Sequence, residues 1–318
     1  MKHYTNTGNK DTRSGFGAGL YEAGKADGRV VALTADLEGS LKMGDFAKEF
    51  PERFIQCGIA EANMVGVAAG LAVTGKIPFV GSFAEFVTGR VYDQIRQEVA
   101  YGKTNVKIAA SHAGITLGED GATHQTMEDI ALMSALPGMV VINPCDYNQT
   151  RAATIAAAQY DGPVYLRFGR PAVPNFTPQD CKFEIGKAIV MNDGEDATVF
   201  ATGHLVWEAL QAAEILEKEG VSLEVVDIAT IKPLDIGAVV SSASKTRAVV
   251  CAEEHNAPGG LGSHVAYALA RYCPVPVEFV NGADRFGQSG TPAELMAEYC
   301  LDAAHVAEAV RKVLGRKE

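Results

Sequence analysis

The sequence lacks both a cationic run that could follow a nucleic-acid backbone and an apolar run that could cross a membrane. Its 318 residues include 28 Lys and Arg against 39 Asp and Glu, which gives a net charge of −11. No segment approaches the roughly 18 consecutive apolar residues of a membrane span, and the first residues have no apolar core typical of a signal peptide. We therefore expect no nucleic acid and no membrane as partners, and a cytoplasmic location.

Cysteine is also sparse. The six cysteines stand singly, with no Cys-x-x-Cys motif and no histidine pair at the spacing of a metal site. This distribution is typical of reduced thiols in a cytosolic protein and indicates neither a disulfide framework nor a zinc site. The composition, 47% hydrophobic and 21% charged, is that of a folded globular protein.

Short apolar runs rich in β-branched residues alternate with longer segments of helical character. In the first half, strands are predicted at residues 30–34, 54–57, 77–82, 106–111, 139–142 and 164–167. A segment with three prolines, 171–184, breaks the pattern and is interpreted as a linker. The alternation then resumes, with a strand predicted at 197–201 and a last helix at 303–314. The sequence therefore predicts two α/β domains, residues 1–185 and 186–318, each a mostly parallel sheet flanked by helices.

The predicted helix at 61–74 reads EANMVGVAAGLAVT and is apolar on nearly every face. A helix without a polar side must be covered all round, and its small residues permit close approach of another backbone. This indicates a subunit interface. A central core helix within one domain is the alternative.

Polar side chains follow several of the predicted strands, where α/β folds bind ligands. Each group also has a structural interpretation as a turn, a helix cap, a core aromatic or an ion pair. The densest is the segment 111–129, which holds two histidines and four acidic residues between a strand and a helix. The candidate residues are Asp36, Leu37, Ser40, Glu61, Phe83, Phe86, His112, Asp120, His124, Arg167 and Arg170.

In the second half, the glycines of CAEEHNAPGGLGSHVAYAL (251–269) lie between a predicted strand and a predicted helix. Their spacing is not that of a dinucleotide-binding Gly-x-Gly-x-x-Gly turn, and no acidic residue ends the next strand. Tight packing of the helix on the strand accounts for these glycines.

Three segments, FIQCGIAEANMVGVAAGLA, GSFAEFVTGRVYDQIR and GEDGATHQTMEDIALMSALPGM, together resemble the C-terminal half of transketolase, a pyrimidine-binding domain followed by the transketolase C-terminal domain. The resemblance covers essentially the whole chain. It implies thiamine diphosphate as cofactor. Glu61 matches the glutamate that hydrogen-bonds the cofactor's aminopyrimidine. Phe83 and Phe86 match the aromatics that pack on that ring, and Asp36-Leu37 lies in the loop that approaches the cofactor.

The same resemblance implies a substrate site. His112 and His124 match histidines that act on the sugar, and Asp120 matches an aspartate that bonds a donor-sugar hydroxyl. Arg167 and Ser40 match groups that hold the sugar phosphate. Gly89 stands where many transketolases have a third aromatic, which leaves the acceptor open.

Full-length transketolases carry, before this region, a domain whose Gly-Asp-Gly motif and later Asn hold Mg²⁺ and the diphosphate. This sequence has no Gly-Asp-Gly. It therefore resembles the C-terminal subunit of a split transketolase. The expected partner is an N-terminal subunit that supplies the ligands for Mg²⁺ (or Ca²⁺), in an α₂β₂ heterotetramer acting on phosphorylated sugars.

Three other functions stay open at this point. The β subunits of 2-oxo acid dehydrogenases have similar length and the same two domains, and enzymes that make 1-deoxyxylulose 5-phosphate carry related domains. A non-catalytic binding module is the third. The motifs GEDGATHQ and YDQIRQEV favour transketolase, whose reaction moves a two-carbon ketol unit from a ketose phosphate to an aldose phosphate.

Overall fold

Two separate β-sheets, one for each half of the chain, carry the fold. The structure is a computed structural model and describes residues 4–317. The strands are β1 (Asn9–Asp11), β2 (Val30–Thr34), β3 (Phe54–Gln56), β4 (Ile77–Phe83), β5 (Lys107–Ser111), β6 (Val140–Ile142), β7 (Val164–Arg167), β8 (Ala172–Pro174), β9 (Ile189–Asn192), β10 (Ala197–Ala201), β11 (Leu223–Asp227), β12 (Thr230–Lys232), β13 (Val249–Ala252) and β14 (Val277–Val280).

Helices cover both sheets. They are α1 (Thr12–Ala26), α2 (Gly44–Glu49), α3 (Glu61–Val73), α4 (Tyr92–Gln94), α5 (Asp129–Ser134), α6 (Tyr147–Gln159), α7 (Leu205–Glu217), α8 (Ile236–Thr246), α9 (Leu261–Tyr272), α10 (Pro292–Glu298) and α11 (Ala303–Leu314). A π-helical segment, Ile95–Tyr101, continues α4, and short 3₁₀ turns lie at Pro51–Arg53, Gly89–Val91 and Ile115–Leu117. Within residues 4–317, no helix combines the length and the apolar character needed to cross a bilayer.

The first sheet has seven strands in the order β12-β6-β7-β5-β4-β2-β3. Six of them run parallel, and β12 joins antiparallel to β6 at one edge. The central strands are buried along their whole length, which explains why their sequences are continuous apolar runs without polar alternation. The predicted α/β class with mostly parallel sheets is confirmed.

The second sheet has five strands in the order β14-β13-β10-β11-β9, with only β9 antiparallel. Strand β12 comes from this half of the chain yet pairs with β6 of the first sheet. The second half of the chain therefore contributes one strand to the first sheet. Residues 230–232 belong to that sheet although they follow the predicted domain boundary at residue 185.

The predicted linker 171–184 is not a free connection. Its strand β8 pairs antiparallel with β1. The backbone N–H groups of Phe176 and Thr177 donate to the Asp146 carboxylate at 2.9 and 2.7 Å. The three prolines end the helical pattern, but the segment is fastened to the first domain by hydrogen bonds.

Helix α3 is covered on one side only. Met64, Val65 and Ala68 are buried against the first sheet. On the opposite side Val67 is 37% and Val73 79% exposed, and Ile59 just before the helix is 78% exposed. The sequence has no charge on this open face, which explains why the helix looked apolar all round.

Candidate active site

The candidate residues lie where the parallel strands of the first sheet end. Strands β2, β4, β5 and β7 are neighbours or near neighbours in the sheet and run in one direction. Phe83 is the last residue of β4, and His112 follows β5 directly. Because the carboxyl ends of parallel strands meet at one edge, the fold collects side chains that are far apart in the sequence.

Glu61 is the first residue of α3 and is 4% exposed. A carboxylate at a helix N-terminus is stabilised by the unpaired backbone N–H groups there. Arg90 Nη1 donates a hydrogen bond to Glu61 Oε1 at 3.3 Å, and the guanidinium lies 4.1 Å from the centre of the Phe86 ring. Arg90 thus links the buried carboxyl to the aromatic cluster described next.

Four rings form one cluster, which we call the aromatic cluster: Phe83, Phe86, His112 and His124. Phe83 stacks on His112 with ring centres 3.8 Å apart and on Phe86 at 5.7 Å. His124 meets both phenylalanines edge to face, at 6.4 and 5.3 Å. The structure therefore brings together five predicted residues, these four and Glu61, through Arg90.

His112 has a left-handed backbone, with φ at +60°, and 3% exposure. Its Nδ1 shares a 2.7 Å hydrogen bond with Ser111 Oγ. Burial, helped by the charges of Arg13, Arg170 and His124, lowers the pKa of His112 to about 3. The imidazole is therefore neutral near pH 7, and because Nδ1 is bonded to Ser111, Nε2 is the ring nitrogen left for a ligand.

The loop 112–128 leads from β5 to α5 and holds His112, Asp120 and His124; we call it the substrate loop because the resemblance predicts that these three residues bind the sugar. Its glycines at 114, 118 and 121 all have positive φ, a conformation that suits glycine. Asp120 is exposed at the outer turn of the loop, and His124 Nδ1 is 2.9 Å from Thr123 Oγ1. No hydrogen bond or ion pair holds Asp120 within residues 4–317, so its carboxylate is free for a ligand.

Arg167 occupies a different place from the one predicted. Its side chain is 3% exposed, and its Nε donates at 2.8 Å to Oδ2 of Asp129, the first residue of α5. Nη2 donates to the backbone carbonyl of Glu254 at 2.9 Å. The guanidinium is committed to a buried ion pair and has almost no exposed surface, which does not support the predicted contact with a sugar phosphate.

Arg170, three residues further on, is the more accessible cation. Its side chain is 38% exposed in a pair with Glu119, and Nη1 also donates to the carbonyl of Leu117 at 2.8 Å. Arg13 Nη1 donates to the carbonyl of Ser40 at 3.0 Å. The charges of Arg13 and Arg170 both lower the pKa of His112, and the bond from Arg13 to Ser40 involves the backbone of Ser40.

The Asp36-Leu37 segment begins just after β2. Asp36 is exposed with φ at +61°, and its backbone N–H donates to Gln56 Oε1 at 2.7 Å. Leu37 is half-buried and packs partly on the core of the first domain. The two residues follow β2 at the shared strand edge, and within the described part of the chain no hydrogen bond or ion pair joins either of them to the aromatic cluster.

The side chains present fit the aminopyrimidine part of thiamine diphosphate. The aminopyrimidine needs an aromatic face for its ring and a carboxyl that can share a proton with its ring nitrogen. Phe83 and Phe86, inclined by only 20°, and the buried Glu61 offer both. A metal is a different case, because no group of three His, Cys, Asp or Glu side chains in residues 4–317 could hold one.

Sequence reasoning missed Arg90, Arg13 and Asp129. Arg90 carries no signal of its own, since its role depends on the approach of α3 and the 3₁₀ turn Gly89–Val91. Asp129 sits in an acidic segment, and only the fold shows that it is fully buried beside Arg167. The burial of a charge is a tertiary property that spacing does not reveal.

The glycine-rich turn of the second domain has a structural explanation. The buried Glu253 carboxylate accepts the backbone N–H groups of Leu261 and Gly262, at 2.6 and 2.8 Å, at the start of α9. A Cβ on Gly260 would lie 2.1 Å from Glu253 Oε2. The glycines therefore make room for a carboxylate cap and not for a nucleotide.

Comparison with known proteins agrees with this geometry. Residues 9–175 match the family model of the transketolase pyrimidine-binding domain, and residues 186–306 match that of the transketolase C-terminal domain. The chain is 44% identical to a 6-deoxy-6-sulfo-D-fructose transketolase subunit of a Clostridium species, over 94% of this chain and 92% of the relative. It is 40% identical to an apulose-4-phosphate transketolase subunit of Phocaeicola vulgatus, over 91% and 93%.

A solved structure gives the same result. It is described as a split gene transketolase, inactive β4 tetramer, and superposes with a TM-score of 0.90 at 47% identity, covering 98% of this chain and 100% of that one. The predicted resemblance is confirmed: the chain belongs to the transketolase family and is similar to the C-terminal subunits of split transketolases.

Proposed function

We propose that this chain is the C-terminal subunit of a two-chain transketolase that uses thiamine diphosphate to move a two-carbon ketol unit from a ketose phosphate to an aldose phosphate. The observation that carries the proposal is Glu61, a buried carboxyl at the start of α3 that is joined through Arg90 to the aromatic cluster. This arrangement occurs in a chain that belongs to the transketolase family.

When bound, thiamine diphosphate supplies an acidic thiazolium carbon that adds to carbonyl groups. Glu61 would bond the ring nitrogen of the aminopyrimidine through Oε2, since Oε1 already faces Arg90. The Glu61 carboxyl would hold a shared proton at that nitrogen. Burial suits this task, because water would otherwise compete for the proton. Phe83 and Phe86 would support the flat face of the ring.

The sugar would lie under the substrate loop. His112, neutral near pH 7, and His124 would bond and relay protons to the sugar oxygens, and the free Asp120 carboxylate would accept a hydroxyl of the donor. Arg170 and Ser40 would face the anionic end of the sugar. We therefore assign the contact with the sugar phosphate to Arg170 and no longer to Arg167. Relatives named for sulfo-sugar and phosphate substrates agree with an anionic group at this end.

The remaining parts of the site would come from an N-terminal subunit. That chain would bring the ligands of Mg²⁺ or Ca²⁺ and of the diphosphate, because residues 4–317 contain no candidate metal site. The uncharged face of α3, with Val67, Val73 and Ile59 exposed, would pack on the partner in an α₂β₂ heterotetramer. A cytoplasmic location belongs to the same proposal and is supported by six free thiols.

The transketolase assignment is favoured over the β subunit of a 2-oxo acid dehydrogenase and over a 1-deoxyxylulose-5-phosphate-synthase-like enzyme, because the similar chains named above are transketolase subunits. A non-catalytic module is disfavoured by the site itself. A scaffold would gain nothing from a buried carboxyl, stacked rings and a neutral histidine at one strand edge.

The test is reconstitution. The chain is assayed alone and mixed with the N-terminal subunit encoded beside it, with thiamine diphosphate and Mg²⁺, on xylulose 5-phosphate, fructose 6-phosphate and 6-deoxy-6-sulfofructose as donors. We expect ketol transfer only in the mixture. A mixture that binds the cofactor but transfers no ketol unit from any donor would contradict the proposal.

The Glu61→Gln variant tests the central residue. We expect loss of nearly all turnover in the mixture with an unchanged melting temperature, because Gln keeps the size of the side chain but cannot share a carboxyl proton. The control is Glu98→Gln, which changes an exposed carboxylate that also lies near α3, since a Cβ added at Gly66 would be 3.3 Å from Glu98 Oε2; Glu98 is not part of the aromatic cluster. Normal turnover in Glu61→Gln would remove Glu61 from the chemistry.

A further inference from the structure

The second domain carries no residue of the proposed site, yet it contacts the substrate loop at both ends. Glu254 lies just after β13, at the carboxyl edge of the second sheet, and is 3% exposed. Its Oε1 accepts the backbone N–H of Thr116 at 2.6 Å. This bond crosses from the second domain to the start of the loop.

The fit at that point is close. A Cβ on Gly114 would lie 2.3 Å from Glu254 Cδ and Oε1. The loop backbone therefore rests directly against the carboxylate, and Gly114, with φ at +83°, allows this approach. The other oxygen, Oε2, lies 3.5 Å from His204 Nδ1, so the carboxylate is enclosed on both sides.

Glu254 also reaches the end of the loop through its backbone. Its carbonyl accepts Arg167 Nη2, and Arg167 Nε binds the fully buried Asp129, the first residue of α5. The Glu254 carboxylate thus holds the loop backbone at Thr116, and its backbone carbonyl holds Arg167, which pairs with the Asp129 carboxylate at the end of the loop. Asp120 and His124 lie between these two points, and Asp120 has no hydrogen bond or ion pair of its own within residues 4–317.

We propose that Glu254 is a positioning residue for the sugar: it holds the substrate loop at both ends and so sets where Asp120 and His124 meet the donor. The inference rests on the proposed function and assigns a part in substrate binding to the second domain. A charge-assisted bond to a buried backbone N–H is among the stronger hydrogen bonds in proteins. The bond between Glu254 and Thr116 can therefore hold a loop that has no regular backbone hydrogen bonds of an α-helix or sheet.

The chain offers a matched control in the adjacent residue. Glu253 is also buried and also accepts backbone N–H groups, but these belong to Leu261 and Gly262 of its own domain. Both glutamates follow β13, so the loss of either carboxylate removes a buried acceptor from the same part of the core. Of the two glutamates, only Glu254 bonds to the substrate loop.

The experiment compares Glu254→Asp, Glu254→Gln and Glu253→Asp in the reconstituted complex. Asp keeps the charge but withdraws the carboxylate from Thr116, whereas Gln keeps an oxygen in place. We expect Glu254→Asp to raise KM for the ketose donor about tenfold with a smaller change in kcat and an unchanged Kd for thiamine diphosphate. Glu254→Gln should recover most of the wild-type KM, and Glu253→Asp should leave KM near that of the wild type.

Two results would overturn the inference: an unchanged KM in Glu254→Asp, or an equal rise in Glu253→Asp, which would indicate a general loss of packing. Amide hydrogen exchange of residues 112–128 separates this failure from that of the proposed function. If the wild-type complex transfers no ketol unit, the proposed function is overturned. If the loop keeps its protection in Glu254→Asp, the positioning by Glu254 is overturned whatever the activity.

Discussion

The substitution Arg167→Met tests whether Arg167 serves in a buried ion pair with Asp129. Methionine fills much of the space of the arginine stem but removes the charge and every donor. Asp129, with no exposed surface, would then keep only the hydroxyl of Tyr165, since its Oδ1 already has no hydrogen-bond partner. The carbonyl of Glu254 would also lose its Arg167 donor.

The expected loss of stability is large. Removing one partner of a buried ion pair costs about 3–5 kcal/mol, because the remaining charge is left without compensation. Two charged hydrogen bonds, each worth about 1.5–3 kcal/mol, lead to a similar figure. At roughly 2–4 °C per kcal/mol for a domain of this size, the melting temperature should fall by about 10 °C.

The effect should depend on pH in a defined direction. Burial opposes the charged form of Asp129, but Arg167, His255 and the bond from Tyr165 outweigh it and lower the pKa of this carboxyl. In the wild type the pair therefore adds stability above the unfolded-state pKa of about 4, and that stability disappears as the pH falls through the lowered folded value. The gap between variant and wild type should be widest near neutral pH and shrink in acid.

Thermal unfolding of the isolated chain between about pH 3.5 and 8 measures both effects. Arg170→Met is the matched control, since its exposed pair with Glu119 should contribute no more than about 1 kcal/mol. Adding Asp129→Asn to Arg167→Met should recover at least half of the loss, because no buried charge then remains. The reasoning is refuted if Arg167→Met melts within about 2–3 °C of the wild type at pH 7.

Three further predictions concern other residues. Arg170→Met should raise KM for phosphorylated or sulfonated ketoses about tenfold and leave KM for unphosphorylated ones unchanged; equal changes would exclude it from the anion site. Burial, which outweighs a bond from Gln149, raises the pKa of Asp227 to about 7. Stability should therefore fall as the pH rises from about 4 to 7, and Asp227→Asn should remove this loss of about 2–4 kcal/mol in pH-resolved melting curves. Gly114→Ala should lower the free energy of unfolding by at least about 1–2 kcal/mol, since φ is +83°. It should also raise KM for the donor, and an unchanged KM would contradict this prediction, because the loop would then accommodate the added methyl group.

The strands of the central sheets were predictable because they are short, continuous and apolar. Strands β2, β7 and β10 have the predicted bounds, and β3, β4 and β6 differ from them by one residue. A strand covered on both faces needs apolar residues at every position, so the length of the apolar run predicts where the strand begins and ends. Helix α11 also has its predicted bounds, because its buried residues recur at helical spacing.

Edge strands were not predictable in the same way. Strand β12 has only three residues, and neither the strand nor its pairing was predicted. It joins the first sheet by pairing antiparallel with β6. Strands β1 and β8 are equally short and form a two-stranded ribbon. Such strands depend on a partner that is distant in the chain, and their own composition carries little information about where that partner is.

The two arginines of YLRFGRP show why a site can be foreseen while a role inside it cannot. Arg167 is the last residue of β7 and pairs with the buried Asp129, whereas Arg170 lies beyond the strand with its side chain 38% exposed. Because successive side chains in a strand face opposite sides of the sheet, the face taken by each arginine depends on where β7 ends. Arg167 and Arg170 are only three residues apart, yet one forms a buried ion pair and the other is accessible to an anionic ligand. Only the position of α5, which carries Asp129, reveals which of the two arginines is buried in a pair.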